Sequence, residues 1–169
     1  MNIILSHGRG GSPQDKLIAH LAREGAAHGF ATHRVDDQDT HNPDTRAERL
    51  IARLRENPAP HVLVGFSMGG YSSVLAAEQC ENVHGLFLIA PGLYLPRYKQ
   101  SRYRNDLPNL EIVHGWDDDV VLYEHSLRFA RESNAPLHLL PGDHLLGAQI
   151  PTIRALFARY LQRFLPPSP

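Results

Sequence analysis

Cysteine is almost absent from this sequence, in which Cys80 is the only one among 169 residues. A single cysteine cannot close an intramolecular disulfide, so the sequence indicates a protein of a reducing compartment. Metal-ligand spacings are missing as well, because the 11 histidines form no His-Glu-x-x-His or comparable pattern. We therefore expect neither a metal nor another cofactor, and we interpret Cys80 as a small core residue.

Long hydrophobic runs are also missing. No apolar stretch approaches the ~20 residues that a membrane-spanning helix needs. Residues 1–7 carry no basic segment and too short an apolar run for a signal peptide. These absences predict a cytoplasmic protein without a membrane partner.

Neither sign of charge is in excess, since 17 lysine and arginine residues face 18 aspartate and glutamate residues, for a formal net charge of −1. We therefore expect no nucleic-acid partner. Basic and aromatic residues gather in one short segment without periodicity, residues 93–109. Two interpretations of this segment stay open: a solvated basic loop, or a rim that attracts an anionic or aromatic acyl group.

What the sequence does contain is an alternation of strand and helix patterns. Strand patterns lie at residues 3–6, 30–35, 62–64, 85–89, 110–114 and 137–140. Helical patterns follow them, the first with Ser12 as its N-cap, the others at residues 43–57, after Gly70, at 121–133 and at 153–164. The alternation predicts an α/β fold, a single-domain three-layer α/β/α sandwich with a mostly parallel sheet of about six strands. We assign this domain to residues 1–165 and a proline-rich tail to residues 166–169.

The most informative stretch is Gly65-Phe66-Ser67-Met68-Gly69, a Gly-x-Ser-x-Gly pattern between a buried strand and a helix rich in small residues. Glycines are needed at the flanking positions because the chain reverses within a few residues, and larger side chains would collide with neighbouring elements. This turn predicts that Ser67 is raised at the end of the strand, close to a helix N-terminus.

A serine hydroxyl becomes a good nucleophile only when a base takes its proton and an acid orients that base. In a parallel sheet such groups should gather in the loops beyond the carboxyl ends of the strands. Candidates do follow the predicted strands there: a His-Gly turn at residues 7–11, three adjacent aspartates at residues 117–119, and His144.

The strand–turn–helix elbow at residues 65–69, the order Ser–Asp–His and the strand positions resemble the α/β-hydrolase superfamily, and in particular its small, lidless members of the esterase and dienelactone-hydrolase-like kind. Residues 114–121 are similar to the family's acid-bearing turn, residues 142–144 to its histidine loop, and residues 7–11 to its oxyanion turn. The resemblance also implies a reduced fold that lacks the family's usual first two strands.

The resemblance assigns roles by position. It implies that Ser67 is the nucleophile, that His144 is the general base and then the acid, and that Asp118, three residues after a glycine, is the orienting acid. It implies an oxyanion hole made by the backbone N–H groups of Arg9 and Met68.

The residues beside these positions receive structural roles. We expect Asp117 to face solvent and Asp119 to act as an N-cap or first-turn charge for the next helix. We expect His7 to shape the His-Gly turn and His114 to brace the acid turn.

The resulting hypothesis is a serine hydrolase that cleaves a small ester or thioester through an acyl-enzyme, as a monomer or small homo-oligomer acting on a small-molecule acyl substrate. The alternatives are an amidase, a peptidase or an acyltransferase with the same triad, and a non-catalytic binding protein of this fold. A short lid region predicts an open pocket and a short or medium acyl chain.

Overall fold

Six strands and five helices lie along residues 1–166, the part of the chain that the computed structural model describes, and they alternate except where β4 leads directly to β5. The strands are β1 (Asn2–Ser6), β2 (Ala31–Arg34), β3 (His61–Phe66), β4 (Val83–Ile89), β5 (Leu110–Gly115) and β6 (Leu137–Leu140). The helices are α1 (Lys16–Ala27), α2 (Pro43–Glu56), α3 (Met68–Ala77), α4 (Tyr123–Ser133) and α5 (Ile150–Leu161), with single 3₁₀ turns at Gly147–Gln149 and Gln162–Phe164. Of the predicted proline-rich tail, residues 167–169 lie outside the described part.

All of these strands lie in one parallel sheet, in the order β2-β1-β3-β4-β5-β6. The chain first runs outward from β1 to β2, then returns to the other side of β1 and continues to β6. The direction reverses between β1 and β3, and in open α/β sheets ligands bind beyond the strand ends at such a point. The predicted single-domain α/β fold with a parallel sheet of about six strands is confirmed.

Helices cover both faces of the sheet, which makes three layers. Apolar side chains of α1 and α5 pack on one face, for example Leu21 and Phe157 against Phe87 of β4 and its neighbours. On the other face α2, α3 and α4 pack on the alternate strand residues, and Cys80 belongs to this layer, as predicted. Both faces are therefore dry, which explains why β3 is buried along its whole length.

Two predicted N-cap assignments are wrong. The first helix begins at Lys16, so Ser12 is not its N-cap; instead the Ser12 hydroxyl donates to Asp15 Oδ1 and accepts from the Gln14 N–H in the preceding turn. The fourth helix begins at Tyr123 with Leu122 in the capping position, so Asp119 lies outside its first turn. In both places a polar side chain accepts a hydrogen bond from a backbone N–H group within a turn that precedes the helix. Sequence patterns do not distinguish such a turn from a helix start.

The parallel sheet sends the loops after β1, β3, β5 and β6 to one edge. Within residues 1–166, no helix combines the length and the apolar character that crossing a bilayer requires.

Candidate active site

Ser67 occupies a sharp turn between β3 and α3. Its φ of 54° and ψ of −116° are a strained combination for a residue with a side chain. A Cβ on Gly65 would lie 2.6 Å from the Gly70 Cα, and a Cβ on Gly69 would collide with the Ser6 carbonyl of β1. The two flanking glycines therefore let the strands and α3 approach closely enough to hold Ser67 at the end of β3.

Three side chains from three strand ends form a continuous hydrogen-bonded chain. Ser67 Oγ donates to His144 Nε2 over 2.9 Å, and His144 Nδ1 donates to Asp118 Oδ2 over 2.7 Å. Because Nδ1 carries the proton that Asp118 accepts, Nε2 has a free lone pair that faces the serine. This is the tautomer that a general base needs.

Asp118 is held more firmly than its two neighbours. It is 4% exposed, whereas Asp117 and Asp119 are both exposed. Its Oδ1 accepts from the N–H groups of Val120 and Val121 at 2.9 and 2.8 Å. The first of these bonds closes the turn that carries the carboxylate, and Oδ2 remains directed at His144.

The electrostatics keep this carboxylate ionised. Burial by itself raises the pKa of Asp118, but hydrogen bonds from His114 and His144 and from the Val121 N–H outweigh burial. The pKa of Asp118 consequently lies well below its usual value. His114 thus contacts the acid turn, as expected, through an Nε2 that lies 2.9 Å from Asp118 Oδ2.

The histidine loop after β6 is also fixed by local contacts. Asp143 Oδ1 accepts from the N–H groups of Leu145 and Leu146, and Leu146 adopts a left-handed conformation with φ of 50° while its side chain is buried. The ring of Phe66 lies 5.1 Å from the His144 ring. The imidazole is therefore oriented by packing as well as by its hydrogen bonds.

Two backbone amides border Ser67. Met68 is the first residue of α3, and the Gly8–Arg9 turn lies against the serine, since a Cβ on Gly8 would be 3.3 Å from the Ser67 Cβ. Within residues 1–166, neither the Arg9 N–H nor the Met68 N–H donates to a backbone or side-chain acceptor. Both donors are therefore available to a bound group.

Sequence reasoning missed Arg46, which holds the Gly8–Arg9 turn in place through hydrogen bonds. It lies on α2, is 2% exposed, and donates to the carbonyl oxygens of His7 and Gly8. One signal for it exists in the sequence: Arg46 stands in the apolar stripe of α2, four residues before Leu50 and eight before Leu54. A charged side chain in such a stripe needs buried partners.

A cavity of about 430 Å³ opens beside the site, between the turn after β1 and the loop after β6. Its apolar lining comes from Leu17, Ile18, Phe66, Leu145 and Ile150. A larger concavity of about 640 Å³ lies at the opposite edge of the sheet, around Val83 and Asn109, away from the reactive side chains. The smaller cavity is therefore the one that lies beside the hydrogen-bonded chain of Ser67, His144 and Asp118.

The 93–109 segment divides into two kinds of side chain. Its tyrosines are half-buried, with the Tyr98 ring 4.7 Å from the Tyr71 ring of α3. Its basic residues are exposed. The solvated interpretation therefore describes the basic side chains, whereas the aromatic ones pack on the domain.

Among residues 1–166, no group of three or more histidine, cysteine, aspartate or glutamate side chains is arranged to hold a metal ion.

Comparison with known proteins places this chain in a family. A model of the alpha/beta hydrolase family matches residues 3–169. A protein from Xanthomonas campestris pv. campestris, described as belonging to the alpha/beta hydrolase superfamily, is 25% identical with a TM-score of 0.88, over 96% of this chain and 98% of that one. A lidless α/β serine hydrolase from Xanthomonas campestris is 23% identical with a TM-score of 0.84, over 99% and 84% of the two chains.

Est1E from Butyrivibrio proteoclasticus shares the fold at 20% identity and a TM-score of 0.80, over 95% of this chain and 86% of that one. No sequence among curated proteins matches this one. The family model covers nearly the whole chain and the fold agrees with it, so this chain belongs to the alpha/beta hydrolase family, in a reduced form whose described sheet lacks the usual first two strands.

Proposed function

We propose that this protein is a serine hydrolase that cleaves a small ester or thioester through an acyl-enzyme intermediate. The observation that carries the proposal is the pair of hydrogen bonds from Ser67 to His144 and from His144 to Asp118. A non-catalytic binding protein has no need for a serine in a strained backbone conformation with a base 2.9 Å from its oxygen.

In the first half of the reaction, Ser67 Oγ attacks the substrate carbonyl carbon while His144 Nε2 takes the hydroxyl proton. The carbonyl oxygen becomes an oxyanion, and the N–H groups of Met68 and Arg9 donate hydrogen bonds to it. Asp118 stabilises the imidazolium and holds its orientation. Each oxyanion donor contributes about 3 kcal/mol of transition-state stabilisation.

The intermediate then collapses, and His144 returns the proton to the leaving alcohol or thiol. Water attacks the acyl-enzyme in the second half, with His144 again as the base, and releases the carboxylic acid and free Ser67. The depressed pKa of Asp118 keeps its carboxylate charged throughout this cycle.

The cavity beside Phe66 limits the substrate. About 430 Å³ of largely apolar space suits a short or medium acyl or alcohol group and not a long lipid chain. We therefore propose a small-molecule acyl substrate and no increase in rate at a lipid interface.

A fluorophosphonate probe combined with a panel of p-nitrophenyl esters of graded chain length tests the proposal. Wild-type protein should be labelled and should turn over the shorter esters, whereas Ser67→Ala should lose both activities with an unchanged circular dichroism spectrum. Undiminished labelling of Ser67→Ala would refute the assignment. A feruloyl ester belongs in the panel because a structure of Est1E holds ferulic acid.

A further inference from the structure

Arg46 is a buried cation whose hydrogen bonds all go to backbone. Nη1 donates to the His7 and Gly8 oxygens at 3.1 and 3.2 Å, Nη2 to the Asp37 and Thr40 oxygens at 2.9 Å each, and Nε to the Thr40 oxygen at 3.1 Å. The nearby carboxylates of Asp37 and Asp39 pair instead with Arg49. The positive charge of Arg46 therefore lies beside carbonyl groups, and within residues 1–166 no carboxylate contacts its guanidinium directly.

The Gly8 carbonyl is the important acceptor among these. Besides Arg46, it accepts from the Gly11 N–H at 3.2 Å and from His7 Nδ1 at 2.8 Å. His7 is fixed as this donor because its other nitrogen, Nε2, accepts from the Asp37 N–H. Three donors, one of them charged, thus converge on a single peptide oxygen.

That oxygen belongs to the same peptide group as the Arg9 N–H. In a planar trans peptide the C=O and the N–H point in opposite directions. Donors that hold the Gly8 oxygen on one side therefore direct the Arg9 N–H to the other side, away from Arg46. Hydrogen bonds to a carbonyl also polarise its peptide and strengthen its N–H as a donor.

We propose that Arg46 is a positioning residue for catalysis: its guanidinium, with His7, orients and polarises the Gly8–Arg9 peptide so that the Arg9 N–H serves as the second oxyanion donor. This inference rests on the proposed function, because it concerns the same reaction. It adds a residue on α2 that touches no substrate atom and acts through one peptide group.

The test compares three variants, each with a purified, folded chain checked by circular dichroism. Arg46→Gln removes the charge, and Arg46→Lys keeps it with fewer donors. Arg49→Gln is the matched control, since Arg49 also joins α2 to the loop at Asp37 and Asp39 but does not contact Gly8. The readouts are kcat and KM on one short ester, and inhibition by a trifluoromethyl ketone and by the matching methyl ketone.

An oxyanion donor acts on the transition state and not on the bound substrate. Arg46→Gln should therefore lower kcat about 100-fold and change KM less than about threefold. Affinity for the trifluoromethyl ketone, which forms a tetrahedral adduct, should fall by a similar factor, while affinity for the methyl ketone stays nearly constant. Arg46→Lys should lower kcat by a smaller factor of about four to ten, and Arg49→Gln should stay within about threefold of wild type.

Three results would overturn the proposal: a kcat for Arg46→Gln within about threefold of wild type, an equal loss of affinity for both ketones, or an equal loss in Arg49→Gln. If Arg46→Gln does not fold, Arg46→Lys decides by the same criteria, with a reduced kcat at constant KM expected. A wild-type protein that neither labels nor turns over esters would instead refute the proposed function itself.

Discussion

His114 and Asp118 form a buried pair in which His114 Nε2 lies 2.9 Å from Asp118 Oδ2, with both side chains at 0% exposure. The same Nε2 lies 2.8 Å from the Val121 carbonyl oxygen, so it must carry a proton. Nδ1 lies 2.7 Å from the Ser126 hydroxyl oxygen. These partners fix the orientation of the His114 ring, and through it the rotamer of the carboxylate that orients His144.

Asp118→Asn should be both less active and less stable than wild type. The amide cannot accept from all four surrounding N–H groups, so we expect kcat to fall by on the order of 10⁴-fold and the free energy of unfolding by about 1–3 kcal/mol. Asp117→Asn and Asp119→Asn are matched controls on exposed neighbours and should each lose less than about tenfold in kcat. Steady-state kinetics and urea unfolding on the three variants check this. A larger loss of kcat in either control variant would show that the neighbouring aspartate, and not Asp118, is the orienting acid.

Stability should depend on pH through the same carboxylate. The pKa of Asp118 is lowered on folding, so the unfolded chain binds the proton first, near about pH 4. The stabilisation is complete above that pH and is lost as pH falls towards the lower folded pKa. The stability difference between wild type and Asp118→Asn should therefore shrink between about pH 5 and pH 3. Urea titrations across this range measure it, and a constant or growing difference would contradict the linkage.

Gly69→Ala should destabilise the elbow. The added Cβ would meet the Ser6 carbonyl, which is backbone and cannot move aside. We expect a loss of about 2 kcal/mol or more in the free energy of unfolding. Gly147→Ala is the control, because nothing lies within 4 Å of its Cβ position, and its effect should stay below about 0.5 kcal/mol. Equal stability of the two variants in urea would show that α3 and β1 are not in close contact.

Leu145 should contribute to substrate affinity without contributing to stability. It lines the cavity and is 65% exposed in the free protein. Leu145→Ser should reduce kcat/KM for a hexanoate ester about fivefold, with little effect on the acetate ester, since about 0.8 kcal/mol is lost per CH₂ contact removed. Leu127→Ser, at an exposed leucine of α4, is the control and should change neither value. If Leu145→Ser reduced kcat/KM equally for the two esters, the acyl chain would not bind against Leu145.

The fold was predictable because both of its main signals are local. The apolar, β-branched run at residues 62–64 is typical of a buried strand, and Gly65 and Gly69 permit a tight reversal after it. Once the strands are parallel, the loops that follow them share one edge, so Ser67 and His144 could be paired across a long sequence separation.

Two kinds of side-chain contact, one within a turn and one between distant parts of the chain, were not predictable in the same way. Ser12 and Asp119 are good N-cap residues by type, yet Ser12 bonds within a turn and Asp118 makes the cap-like bonds near Asp119. Arg46 reaches carbonyls 38 and 39 residues away in sequence, and only the docking of α2 on the first loop defines those acceptors. Such partners follow from tertiary packing, which a single sequence pattern does not encode.

The sequence separation of 77 between Ser67 and His144 also determines when their contact can form during folding. Their hydrogen bond requires that β4, β5 and β6 have all added to the sheet beside β3, and structure that depends on such long-range contacts forms slowly during folding. During refolding, helical structure and the elbow should therefore return before any reactivity does. On the ribosome, a nascent chain should contain the folded turn around Ser67 but show no serine reactivity. That reactivity should arise only after the loop after β6 has emerged and His144 has reached Ser67.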